Sequence, residues 1–209
     1  MSDHLQELID SLLWEGYALY PYTPSATKNA TPTPFGIAYP AAYAQTLSST
    51  FDHLELRVAL HAPADAVLRA EVHLLAPVGQ GHQAQAEHLT LPGAMVGALA
   101  QLPGVKRASV RGGDGPPLEV GLRMTATESA PGEYEVVFRV QNLTVVSSGL
   151  DRRRALARSL ISVHPVLRVD GGRFVSALDR PCGSANTFPI LAAQDDSVVV
   201  GATIILPDH

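Results

Sequence analysis

The residues of this 209-residue chain best suited to chemistry are its eight histidines, its single cysteine and one Ser-X-His pair. His53, His61 and His73 alternate with apolar residues in "HLELRVALH" and "LRAEVHLL", and Glu55 and Glu71 occupy the same polar positions. Imidazole nitrogens beside carboxylate oxygens on one sheet face are what a divalent metal site requires, so these three histidines are metal candidates. Arg57 and Arg69 share that alternation, however, and cross-strand pairing of opposite charges on a solvated face accounts for the pattern more simply. Neither HExxH nor a Cys/His ligand spacing is present, and no cofactor is expected. The polar stretch from Gly79 to His88 adds two more histidines and reads as a loop. Ser162, His164 and Asp170 are the residue types of a hydrolytic triad, yet Ser162 and His164 stand two apart on an expected strand, without a nucleophile elbow. Cys182, in the loop-like "RPCGSANTF", needs a cation such as Arg180 to become a reactive thiolate; a packed thiol is the simpler reading.

A different chemistry, recognition, is suggested by "LLWEGYALYPYTPSATKN". Tyr17, Tyr20 and Tyr22 offer large amphipathic contacts, and the prolines restrict the backbone before any partner arrives. The alternative is that the tyrosines pack the segment against the body of the protein.

The elements that position these residues follow from periodicity. Leu5, Leu8, Ile9, Leu12 and Leu13 fall on one helical face, predicting a helix over 3–15 that Gly16 caps. Five prolines between Tyr20 and Pro40 then exclude helix interior and predict an extended strap over 17–50. Beyond Phe51 the period becomes two. "LEVGLRMTATESAPGEYEVVFRV" reads as a hairpin that buries Val120, Leu122 and Met124 on one arm and Tyr134, Val136, Phe138 and Val140 on the other. "DRRRALARSL" predicts a short helix capped by Asp151, "VHPVLRVDGGRFVSAL" a second hairpin turning at Asp170, Gly171 and Gly172, and "SVVVGATIIL" a closing strand. Between Glu87 and Gly115 the pattern allows a short helix over 94–102 or an edge strand and loop. One-sided alternation in successive strands predicts a mainly β, antiparallel sandwich-like fold. The expected organisation is a single domain over 1–209, with helix at 1–16, strap at 17–50 and sheets at 51–209.

Composition excludes several functions. A formal charge of −5 speaks against nucleic-acid binding, and Arg152, Arg153 and Arg154 are the only basic run. No apolar run reaches the roughly 20 residues of a membrane span, and no signal-peptide pattern opens the chain, so a cytoplasmic protein is expected. One cysteine allows no internal disulfide. No phosphate-binding glycine motif is present.

The blocks "EGYALYPYTPSATKN" and "FGIAYPAAYA", with the later "RSLISVHPVLRVDGGRFVSALD" and "NTFPILA", resemble a family of uncharacterised bacterial proteins encoded among the genes of uptake [NiFe] hydrogenases, notably in actinobacteria. The resemblance touches both ends of the chain. It marks Tyr17, Tyr20, Pro21, Tyr22, Ser25, Lys28 and Asn29 as the characteristic strap, then Phe35, Gly36, His164 and Asn186. It implies a genomic setting and, by association, a non-enzymatic accessory role in hydrogenase assembly or maturation. The expected partner is a hydrogenase subunit or maturation factor, met by the strap and a sheet edge. Relatives continue into an acidic C-terminal segment where this sequence has "IILPDH". The rival expectations are a metal-handling protein, or a hydrolase using the histidines or Cys182.

Overall fold

The computed structural model describes residues 3–19, 36–46, 48–78 and 83–203. Six of the seven strap residues, Tyr20, Pro21, Tyr22, Ser25, Lys28 and Asn29, lie outside them, as does Phe35. The chain is mainly β, with two antiparallel five-stranded sheets packed together as expected. The strands are β1 (His53–His61), β2 (Val67–Val78), β3 (Gln83–Met95), β4 (Gly104–Val110), β5 (Leu118–Ala130), β6 (Glu133–Asn142), β7 (Ile161–Asp170), β8 (Arg173–Phe174), β9 (Phe188–Leu191) and β10 (Val198–Ala202). Sheet I has the order β4-β5-β6-β1-β8, and sheet II the order β3-β2-β7-β10-β9. Leu54, Leu56, Val120, Leu122, Val136 and Phe138 of sheet I meet Leu68, Val72, Leu74, Val163 and Leu167 of sheet II in the main core. Alternation of side chains along each strand puts the polar neighbours of these residues on the outer faces.

Helix α1 (Asp3–Leu19) forms a third layer. Its Leu5, Ile9 and Leu13 pack on Leu75, Ile161, Val166, Val198 and Val200, a second core on the outer face of sheet II. The helix runs through Gly16 instead of ending there, so the expected boundary at 16 is corrected and Tyr17 is helical. An interior glycine costs only about 1 kcal/mol relative to alanine, and no stronger breaker appears before Pro21. The expected strap over 17–50 is also interrupted by a turn of helix, α2 (Ala41–Ala44), which buries Tyr43 against Tyr39.

The hairpin β5–β6 and the helix α4 (Arg152–Leu156) form as expected. Asp151 accepts a hydrogen bond from the Arg154 backbone N–H at 2.8 Å. Between β3 and β4 both expected alternatives are realised, with α3 (Val96–Leu99) joining the two edge strands. The expected hairpin at Asp170–Gly172 does not form. β7 belongs to sheet II and β8 pairs with β1 in sheet I, so this turn carries the chain across the sandwich. The crossing is tight: a Cβ on Gly172 would lie 2.7 Å from that of Ala62 and 2.9 Å from the His61 carbonyl oxygen, and Gly171 has φ +87°.

Candidate functional site

The three metal candidates do not share a face. His53 and His61 stand at opposite ends of β1 in sheet I, and His73 is on β2 in sheet II. The imidazole of His53 sits 2.6 Å from Asp52 Oδ1, a hydrogen-bonding contact between chain neighbours. Alternation could not reveal this separation, because β1 and β2 have the same pattern but belong to different sheets.

His73 instead meets residues from its own sheet. The stretch expected to be a loop up to His88 becomes β3 from Gln83 onward, and its register places His88 directly opposite His73. Their rings stack with centroids 4.4 Å apart. On the other side His73 faces His164 of β7, so three histidines cross the outer face of sheet II in one row. Glu71, two residues before His73, lies beside them. Its Oε2 is 3.2 Å from His88 Nε2, and its Oε1 is 3.8 Å from His73 Nε2, attractive but beyond hydrogen-bond reach. Arg168 holds the same Oε1 at 2.7 Å through Nη2. His73 and Arg168 together lower the Glu71 carboxyl to about 2, against the opposing effect of burial. One donor atom each from Glu71, His73 and His88 lies within 4.8 Å of the other two.

Ser162 and His164 do come together, with Ser162 Oγ 3.2 Å from His164 Nε2. A β-bulge explains how: Ile161 pairs with Leu75 and His164 with His73, so β7 spends an extra residue there, and Ser162 takes φ +49°. The triad ends at that pair. Asp170 is at the far end of β7, in an ion pair with Arg69, while the His164 Nδ1 faces the Gly201 carbonyl oxygen at 3.0 Å. That carbonyl requires Nδ1 to carry the proton, leaving Nε2 as an acceptor. Ser162 gives its single hydroxyl proton to the Leu13 carbonyl oxygen of α1, 2.9 Å away, so that proton is not shared with His164. Burial lowers the His164 imidazole to about 4 and keeps it neutral. Both side chains are sealed beneath α1, so the pair fastens helix to sheet and has no room for substrate.

Cys182 is half-buried, 3.5 Å from the Arg180 carbonyl oxygen. Burial raises its thiol, with Glu135 adding to the effect, which is the reverse of an activated thiolate. Asn186, at φ +58°, donates from Nδ2 to the His53 carbonyl oxygen at 2.8 Å and fixes the 180s loop to β1.

A second assembly was not anticipated. The outer face of sheet I forms an open groove of about 820 Å³ across β4, β5, β6 and β1. Arg57, Arg107, Arg123 and Arg139 line it with their charges, with Glu55 as the one carboxylate among the lining residues, whereas the neighbouring Lys106 sends its Nζ to the Thr90 carbonyl oxygen of β3, 2.7 Å away. Glu55 is already engaged, 2.5 Å from Arg57 and 3.6 Å from Arg139. Arg123 and Arg139 are directly opposite each other across β5 and β6, an arrangement that repels. Among the described residues, Arg107 and Arg123 have no carboxylate partner. Arginine at alternate positions of "VKR", "GLRMT" and "VFRVQ" was the available signal. No helix among the described residues is long and apolar enough to cross a membrane.

No protein-family model matches this chain, and no curated protein matches it.

Proposed function

We propose that this chain is a non-enzymatic accessory protein that acts by binding another protein through the groove of sheet I. The observation that carries the reading is the excess of cations there, with two directly opposed arginines that a partner's carboxylates would neutralise. An acidic protein segment fits this chemistry. The resemblance of "EGYALYPYTPSATKN" to proteins encoded with [NiFe] hydrogenases supports assembly or maturation of such an enzyme as the setting, with a hydrogenase subunit or maturation factor as partner. In this reading Tyr17, Tyr20, Pro21, Tyr22, Ser25, Lys28 and Asn29 supply a second contact.

The test is co-expression of the chain with hydrogenase structural subunits and maturation factors, followed by affinity capture at low and high salt. Capture of one of them that weakens with salt and falls at least roughly tenfold in Arg107→Glu/Arg123→Glu supports the reading. Capture that the double reversal leaves unchanged removes the groove from the account and leaves the strap to be tested by Tyr20→Ala. Failure to retain any hydrogenase component ends the hydrogenase assignment, and salt-sensitive retention of nucleic acid in place of protein would replace the whole proposal.

A further inference from the structure

The opposite side of the sandwich carries a different kind of site. We infer that Glu71, His73 and His88 bind a divalent transition-metal ion at the open flank of sheet II, through two imidazole nitrogens and one carboxylate oxygen.

Register builds the donor set. Positions 71 and 73 are two apart on β2 and project to the same outer face, and the β2–β3 pairing sets His88 opposite His73. Ions of the zinc, nickel and copper group favour imidazole donors, and a carboxylate completes a three-donor set that leaves a coordination position open to water or a partner. The geometry is close but not closed. Two donors each about 2.0–2.1 Å from one ion are at most about 4.2 Å apart, whereas the present donors span up to 4.8 Å. His88, with 46% of its side chain exposed, has the freedom to swing inward.

Ordinary pairing between a glutamate and two neighbouring histidines is the competing explanation, and His73 distinguishes the two. Its side chain is only 9% exposed, and its Nε2 has no hydrogen-bond partner among the described residues. A buried polar nitrogen left without a partner is costly, and a metal ion would satisfy it. Arg168 limits the choice of oxygen: its guanidinium occupies Oε1 and leaves Oε2 turned toward His88. That positive charge also weakens the attraction for a cation, so the site suits an ion that imidazole binds well and not one that depends on carboxylate charge, such as calcium. The inference does not depend on the groove of sheet I, because a different face and different side chains carry it.

The experiment is titration of the full-length, chelator-treated chain with zinc near neutral pH by calorimetry, with cobalt substitution to report the ligand field. One equivalent of zinc is expected, with a visible cobalt absorption band that a loosely held hydrated ion does not give. His88→Ala, at an exposed position that folding tolerates, is expected to lower affinity by roughly tenfold or more and to abolish the band. Glu71→Gln is expected to do the same, and His53→Ala on sheet I to change neither. Affinity weaker than about 1 mM, or one-equivalent binding that survives His88→Ala, overturns the inference. So does an unchanged cobalt spectrum in both variants.

Discussion

Sheets I and II share one core, yet their outer faces differ in kind. On sheet I, β6 alternates buried and half-exposed residues over its whole length, and its outer positions hold Val137, Arg139 and Gln141. On sheet II, residues 72–76 of β2 and 161–167 of β7 are buried on both faces, because α1 covers them. The cover changes what a polar residue can do. Under solvent, arginines keep their charge and collect into a groove. Under α1, Ser162 and His164 are held in hydrogen bonds with His164 neutral, whereas beyond the cover, at His88, an ionisable group reaches the surface. A polar residue on a strand therefore becomes a surface charge or a buried clasp according to what packs above it.

If the cover is what separates the sheets, the largest effect should come from weakening it. Ile9 is fully buried in the second core, and Ile9→Ala should destabilise the protein by about 2–5 kcal/mol in urea unfolding, as deletions of buried aliphatic groups do. A loss below about 0.5 kcal/mol, the range of ordinary surface changes, would mean that α1 lies on sheet II without stabilising it.

The clasp beneath α1 gives the next effect, through pH. The folded protein lowers His164 from its ordinary 6.5 to about 4, through burial first and through repulsion by His73 on the neighbouring strand. The unfolded chain takes up its proton as pH falls through 6.5, while the folded protein resists until about 4. Stability should be full above 6.5 and decline across this window by about 3 kcal/mol. Glu71 works in a lower window, losing its contribution as pH falls from 4.5 toward 2. Urea titrations of the wild type and His164→Gln at several pH values isolate the histidine, and parallel pH profiles of the two proteins would show that His164 does not control the upper window.

How much of this was legible in sequence follows from the same contrast. The inner face of α1, the β5–β6 hairpin and the Asp151 cap each depend on neighbours a few residues away, and local pattern suffices for those. The turn at Asp170–Gly172 was visible as a turn, but dipeptide chemistry does not say whether the next strand stays in the sheet or crosses to the other, so the expected hairpin was wrong. The start of β3, up to His88, reads as a loop because both faces of the strand are largely exposed, which erases the alternation that betrays a strand, and with it went the partnership of His73 and His88. The groove depends on the order β4-β5-β6-β1, which brings together arginines 16 to 82 positions apart along the chain. The strap most prominent in sequence lies outside the described residues, apart from Tyr17 in α1.

The smallest expected effect makes the sharpest test of the exposed face. A residue retained for folding should cost stability when removed. Arg123 opposes Arg139 across the β5–β6 ladder, with Val105 as its other cross-strand neighbour and no carboxylate partner among the described residues. Truncating it removes a like-charge contact and leaves the core residues Leu122 and Met124 in place. Arg123→Ala should therefore leave stability within about 0.5 kcal/mol of wild type, or raise it slightly, since like charges directly opposite in a sheet destabilise by a fraction of a kcal/mol. Urea unfolding of Arg123→Ala beside Ile9→Ala reads both faces on one scale. A loss above about 1 kcal/mol at Arg123 would assign that arginine to the architecture, because surface residues outside special contacts rarely exceed it. A neutral result leaves its position opposite Arg139 without a structural reason, which is the condition a binding surface has to meet.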